Sequence, residues 1–252
     1  EGTLPPYRRF VNATGLDNPY LSEAYIENLR RTLTTSEVNR LLLGNWESQD
    51  DPDNLVSSDD ILEMYDHSIE VNEDYTRYIS ADIAFKQDGC VLFVWEGNTV
   101  IDIVKVGRDE IVLDRIKEVA REYEIQTRHI TYDSDGVGQY IKQYLRTAKA
   151  IINNGKVLKN ENYVNLKTQL YYKLGELIRD GKIKIKTNKF KKELEGELLC
   201  IKRKVRGTTE SKQEINSKAD QKKLIGHSPD YADAMAYKMI FEYTKGNFTR
   251  TF

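Results

Sequence analysis

The chain is poor in cysteine, with Cys90 and Cys200 alone in 252 residues, and poor in proline, with five. Two cysteines without a Cys-x-x-Cys spacing exclude a disulfide framework and point to a reducing compartment. No apolar run approaches the roughly 18 residues that a membrane span needs. The N-terminus "EGTLPPYRRF" has no apolar signal-peptide core and no starting methionine, so an excised fragment or a processed product is expected. No G-x-x-x-x-G-K-S/T pattern occurs, which excludes a complete P-loop ATPase. There is no internal repeat and no low-complexity tract.

What is present suffices for a core: 39% of residues are hydrophobic, against 31% charged. The length admits one large domain, or a domain with an appendage. The net charge of −2 conceals an asymmetry. Residues 1–75 carry five Lys and Arg against sixteen Asp and Glu, whereas residues 182–223 carry fourteen against six. A basic segment in an otherwise neutral chain suggests a local polyanion contact, although solvated lysines of a hairpin explain the charge about as well.

Periodicity predicts two helices over 17–44, with Thr34 and Glu37 in a capping-box pattern and Gly44 as the C′ residue. The polar stretch 46–60 reads as a linker, giving a helical segment 1–60 and a domain 61–252. In the domain, "TRYISADIAF" alternates, with Ile79, Ala81, Ile83 and Phe85 on one face. "CVLFVWE", the hairpin signal Gly97-Asn98 and "TVIDIVKVG" complete an antiparallel meander. Then come an amphipathic helix in "DEIVLDRIKEVAREY", a short buried strand "HITYD" and a helix in "GVGQYIKQYLRT". A short strand at "AIIN", a long helix ending at Gly181, and strands at "KIKI" and "ELLCIKRKV" around a basic turn follow. Ser228 as N-cap and Pro229 at the first helical position open a closing helix over "GHSPDYADAMAYKMIFEY". This order predicts a mixed α/β sheet with helices on both faces.

Aspartates stand where they are costly. Asp82 lies inside the first strand, pointing with Ser80 and Ala84 away from the apolar face, and aspartate is depleted in strands. Asp133 ends a strand, where α/β sheets place ligands. Asp230 and Asp233 lie at i and i+3 on the closing helix, close enough to repel. Solvation, or the helix dipole for Asp230, would account for either alone. Together the carboxylates make sense around hard divalent cations, because Mg²⁺ and Mn²⁺ prefer oxygen ligands. Two such ions about 4 Å apart serve phosphodiester cleavage. Asp88 and Asp135 read as turn residues, and His67 and His129 as structural or solvent-facing. His227 reads as a capping residue near the cluster.

Several segments jointly resemble the C-terminal nuclease domain of tailed-bacteriophage large terminase subunits. "YISADIAFKQDG" is similar to that family's first catalytic strand, and "ITYDSDGVGQYIKQYL" to its strand followed by D-x-x-G-V-G. "NLKTQLYYKLGELIRDGKIKI" is similar to its long helix leading into a strand, and "SKADQKKLIGHSPDYADAMAY" to its closing S-P-D-x-x-D-A helix. "LDNPYLSEAYIENLRRTLTTSEVNRLLLGNWE" is similar to the segment that follows its ATPase domain.

The resemblance implies a ribonuclease H-like fold: an antiparallel three-strand meander plus parallel strands, with flanking helices and a short helical segment in front. It implies a metal-dependent endonuclease that cuts concatemeric double-stranded DNA. Asp82 and Asp133, with Asp230, Asp233 or both, would bind two Mg²⁺ or Mn²⁺ ions, and His227 is an outside candidate. Expected partners are double-stranded DNA, the terminase ATPase domain missing from this chain, the small terminase subunit and the portal protein. No membrane is involved, the isolated domain is expected to be monomeric, and the location is the host bacterial cytoplasm rather than the virion. Lys218, Lys222 and Lys223, a few residues before His227, are the candidates for DNA phosphates. A junction resolvase or transposase-type nuclease of the same fold, or a non-catalytic DNA- or portal-docking module, are the competing readings.

Overall fold

The computed structural model describes residues 18, 20–26, 51, 53–67, 74–83, 90–107, 109–135, 138–204 and 211–244. Most of the two expected N-terminal helices, with Thr34, Glu37 and Gly44, lie outside these residues, as do Phe85, Asp88 and Gly136. The chain divides into two compact units, Glu1–Pro52 with Ser57–Asp59, and Asp53–Val56 with Asp60–Phe252. In the first unit residues 23–26 form a helical turn, and the Ser22 hydroxyl accepts the Tyr25 N–H at 3.3 Å.

After a short helix α1 (Ser58–Glu63), the second unit builds a six-stranded sheet. Its strands are β1 (Arg77–Asp82), β2 (Val91–Glu96), β3 (Thr99–Lys105), β4 (Ile130–Asp133), β5 (Lys149–Ile151) and β6 (Lys184–Ile185), in the order β5-β4-β1-β2-β3-β6. β1, β2 and β3 form the expected antiparallel meander. Gly97 turns its hairpin at φ +57°, a conformation that glycine adopts without steric cost. β4 runs parallel to β1, β5 parallel to β4, and β6 parallel to β3.

Both faces of this sheet are buried. Ile79, Ala81, Leu92 and Val94 pack with Leu113, Ile116 and Val119 of α2 (Val112–Glu122), and with Ile141 of α3 (Gly138–Lys142). Tyr78, Phe93, Trp95 and Ile103 pack on the other face. There they meet α4 (Leu166–Arg179), α5 (Lys191–Cys200), α7 (Asp230–Tyr237) and α8 (Ile240–Thr244). Ser80 survives in this second layer because the Trp95 indole N–H donates to its hydroxyl at 2.9 Å. β1 is interior to the sheet and buried on both sides, so Asp82 does not stand on an exposed edge strand.

Three local expectations are corrected. "ELLCIKRKV" is not a strand. Leu194, Leu198 and Ile201 recur at helical spacing and are buried, and the chain is helical through Cys200. In "GVGQYIKQYLRT" the α-helix is confined to Gly138–Lys142. The closing helix begins at Asp230, with Pro229 at the N-cap position and no side-chain cap. It breaks at Lys238–Met239 before α8. There the Lys238 side chain is wholly buried, paired with Glu242 at 2.8 Å and bonded to Asn98 of the β2–β3 hairpin. That anchorage ties the end of α7 to the sheet.

α4 is the long helix the sequence predicts. Asn165 caps it, accepting the Thr168 N–H at 2.9 Å, a bond of a kind that contributes about 1 kcal/mol. It closes before Gly181 at φ +66°, where a Cβ would come within 2.8 Å of Glu63 Oε1. α6 (Lys218–Ile225) precedes α7 and is capped by Ser217.

Candidate functional site

Parallel pairing sets the first two carboxylates. β1 and β4 pair Ile79 with Ile130, Ser80 with Thr131 and Ala81 with Tyr132, so Asp82 and Asp133 follow next in register. Adjacent strands in register send matching residues to the same face. Both aspartates therefore leave the same edge of the sheet on the Ser80 side, the side that α7 covers. α7 brings Asp230 and Asp233.

The four carboxylates act on one another. Asp82, 4% exposed, has its carboxyl pushed well above the usual carboxylate range, by burial first and then by Asp233, Asp230 and Asp133. Asp133 is raised chiefly by burial, against hydrogen bonds from the Asp135 N–H and the Asn153 amide, with Asp135 and Asp233 adding repulsion. Its Oδ1 accepts the Asp135 N–H at 2.8 Å and its Oδ2 the Asn153 Nδ2–H at 3.0 Å. The Tyr237 hydroxyl lies 3.0 Å from Asn153 Oδ1 and 3.3 Å from Asp133 Oδ2. Asp135 thus has the turn role expected of it.

Asp233 is 1% exposed and is neutralised by a residue that sequence reasoning missed. The Lys167 ammonium, from the first turn of α4, lies 2.6 Å from Oδ1 and 2.8 Å from Oδ2. The Tyr171 hydroxyl, one helical turn on, donates to Oδ1 at 2.5 Å. The signal was available: Lys167 and Tyr171 are spaced i and i+4 on the long amphipathic helix.

Glu197 was missed too. It is buried on α5 and accepts the Ala232 N–H at 2.9 Å, so it caps α7 from outside where Pro229 cannot. Burial, opposed by that bond and one from the Tyr231 N–H, with Asp230 and Asp233 nearby, pushes its carboxyl up to about 8. His227 Nδ1 sits 2.7 Å from the Ser228 carbonyl and 3.6 Å from Glu197 Oε1.

The three candidate lysines lie on α6 and are not equivalent. Desolvation works against the charge of Lys218, but Asp233, Asp82, Asp230 and Asp133 hold its ammonium above the usual lysine range. Lys223 is exposed and lies 3.8 Å from Asp220. Lys222 is exposed on the turn that Gly226 caps.

As a donor set, four carboxylates at one edge suit a hard divalent cation. Asp82 in particular is a buried carboxylate that its neighbours repel. Among the described residues, no three His, Cys, Asp or Glu side chains stand together in a metal-holding arrangement. The ligand atoms would have to draw closer around an ion, with Lys167 and Tyr171 now holding Asp233.

No family model matches the chain, and no curated protein matches it. Solved structures do. The nuclease domain of the large terminase subunit gp2 of bacterial virus Sf6 is 18% identical, over 74% of this chain and 98% of that one, with a TM-score of 0.63. A mutant of that domain with manganese gives 17%, 74%, 98% and 0.62. The large terminase nuclease from thermophilic phage G20c with bound magnesium gives 16% over 75% and 98%, with a TM-score of 0.52.

The chain has the fold of phage large-terminase nuclease domains. At these identities the likeness is one of fold, and the expected ribonuclease H-like mixed sheet is the one observed. No described helix is long and apolar enough to cross a membrane.

Proposed function

We propose that the chain is a metal-dependent endonuclease, the nuclease part of a viral DNA-packaging terminase, cutting concatemeric double-stranded DNA. The observation that carries this reading is the meeting of Asp82, Asp133, Asp230 and Asp233, from three separate segments, at one sheet edge. Asp82 and Asp133, with Asp230, Asp233 or both, would hold two divalent cations between them, with His227 kept by Glu197 and Ser228 at the margin. The chemistry supplied by bound Mg²⁺ or Mn²⁺ is activation of a water and stabilisation of the leaving oxygen. The chain's own residues do the rest. Asn153 and the Asp135 N–H orient Asp133, Lys167 and Tyr171 hold Asp233, and Glu197 fixes the helix that carries it. A terminase ATPase domain, a small subunit and a portal are the partners this role requires, in the cytoplasm of a host bacterium.

Supercoiled plasmid tests the reading directly. Cleavage is expected with Mg²⁺ or Mn²⁺ and not with EDTA, and loss of it in Asp82→Ala ties it to this site. A wild-type protein that leaves plasmid intact with every divalent ion would overturn the proposal. Branched DNA cut in preference to duplex would assign the same site to a resolvase.

Of the three α6 lysines, Lys218 stands closest to the acidic cluster electrostatically and Lys223 is engaged with Asp220. Lys218→Ala is therefore expected to weaken duplex binding several-fold, and Lys223→Ala to leave it within about twofold, because exposed ion pairs contribute little. Fluorescence anisotropy at low salt separates the two. Equal losses would mean that α6 contributes only diffuse charge.

A further inference from the structure

The sheet places one more cation beside the carboxylates. β1 and β2 pair Asp82 with Val91, and β2 and β3 pair Val91 with Lys105. Directly opposed residues of antiparallel strands share a face. Asp82, Val91 and Lys105 therefore form one row along the same edge, on the face that α7 covers. Alternation along β3 agrees, since Ile103, two residues earlier, belongs to the core layer on that face. Two inter-strand steps of about 4.8 Å put the Lys105 backbone roughly 10 Å from that of Asp82.

The lysine side chain turns towards the site helix. Its ammonium lies 5.9 Å from the centroid of the Tyr231 ring, and Tyr231 directly follows Asp230. Lys105 itself is exposed, at the last position of β3. Among the described residues it makes no ion pair and donates no hydrogen bond to a carboxylate. Lys182, Lys189 and Lys204 are engaged with Asp180, Asp102 and Glu214. Lys142, Lys186 and Lys222 are exposed without an ion pair among the described residues, as Lys105 is, but only Lys105 lies in the row of Asp82. An aromatic face holds an ammonium in place without neutralising it. The ammonium is thus oriented, solvent-accessible and charged, on the β3 side of the carboxylates.

We propose that Lys105 binds a backbone phosphate of the nucleic acid at the carboxylate site, next to the phosphodiester that is cut. This rests on the nuclease reading and extends it by a binding residue on the strand side, separate from the lysines of α6. The chemistry recognised is a phosphate oxygen and not a base, so the contact is independent of sequence. Tyr231 acts as the platform that points the ammonium.

Duplex binding in Ca²⁺ or EDTA, followed by anisotropy across a salt series, reads the contact without any cleavage. Each phosphate neutralised contributes about 0.9 to the slope of log affinity against log salt. Lys105→Ala is expected to flatten that slope by about 0.9 and to weaken binding several-fold at low salt. Lys105→Arg should restore both, and Mn²⁺ affinity and the melting temperature should stay at wild-type values. In turnover, KM for DNA should rise more than kcat falls. An unchanged salt slope in Lys105→Ala, with wild-type binding intact, overturns the proposal. A weakened metal affinity or a lowered melting temperature would give Lys105 a structural role instead. Failure of the nuclease reading looks different: wild-type protein would bind duplex and not cut it with any divalent ion.

Discussion

Asp82→Asn is expected to melt at a higher temperature than the wild type in EDTA while losing cleavage by about 10³-fold or more. Both effects have one cause. The Asp82 carboxyl is buried and repelled by Asp233, Asp230 and Asp133, which is why its pKa is raised. A raised folded-state pKa means that the folded protein binds the proton more tightly than the unfolded chain does. Its contribution to stability is then full below the ordinary carboxylate range and is lost as pH rises through the raised value. Near neutral pH the metal-free wild type carries that penalty, and the neutral isostere removes it. Relief of about 1–2 kcal/mol raises the melting temperature by roughly 2–8 °C for a chain of this size. Catalysis moves the other way. Charge stabilisation at a metal-assisted centre is worth several kcal/mol, and each 1.36 kcal/mol is tenfold in rate. Scanning calorimetry in EDTA and plasmid nicking in Mg²⁺ measure the two limbs. The wild type should also gain metal-free stability as pH falls from about 8, where Glu197 titrates, and Asp82→Asn should show a shallower gain. A variant that melts lower in EDTA and still cuts would remove Asp82 from the site.

The meander, the crossover to β4 and the long helix α4 follow from period-2 and period-3.6 patterns in the sequence. So do Asp82 and Asp133 as functional candidates, because an aspartate in a buried strand and one at a strand end each break a local rule. Their partners were hidden for a different reason. Lys167 and Glu197 sit at helical positions where charged residues are ordinary, and only packing shows that Glu197 is buried and Lys167 half-buried against α7. "ELLCIKRKV" misled because Leu198, Leu199, Cys200 and Ile201 form a short apolar run, which reads as strand or helix alike. Lys105 was invisible for a topological reason: its place in the row with Asp82 depends on the register of two strand pairs and on the bulge beyond Val94. Asp230 and Asp233 were seen as neighbours on a helix, with solvation as one account of their charge. In the fold, every residue from Tyr231 to Tyr237 is buried, so Asp233 cannot rely on water.

Lys167→Met is expected to be among the most damaging single changes to the metal-free protein. Lys167 and Asp233 are a buried pair, with side chains 14% and 1% exposed. Removing one partner of such a pair leaves an uncompensated buried charge, which costs about 3–5 kcal/mol. Tyr171 can donate only one proton, to Oδ1, so it does not replace the ammonium. At roughly 2–4 °C per kcal/mol, the melting temperature in EDTA should fall by about 6–20 °C. Removing the second charge should return most of the loss, because an amide at position 233 keeps the Tyr171 hydrogen bond without needing a cation. Lys167→Met combined with Asp233→Asn is therefore expected to melt well above Lys167→Met alone, a coupling that a double-mutant cycle measures. A divalent cation bound near Asp233 would supply the missing charge in another way. Mg²⁺ or Mn²⁺ should then raise the melting temperature of Lys167→Met by more than it raises that of the wild type. Additive losses in the double variant, or equal gains from metal in both proteins, would show that Lys167 supports α4 by packing and has no electrostatic part in holding Asp233.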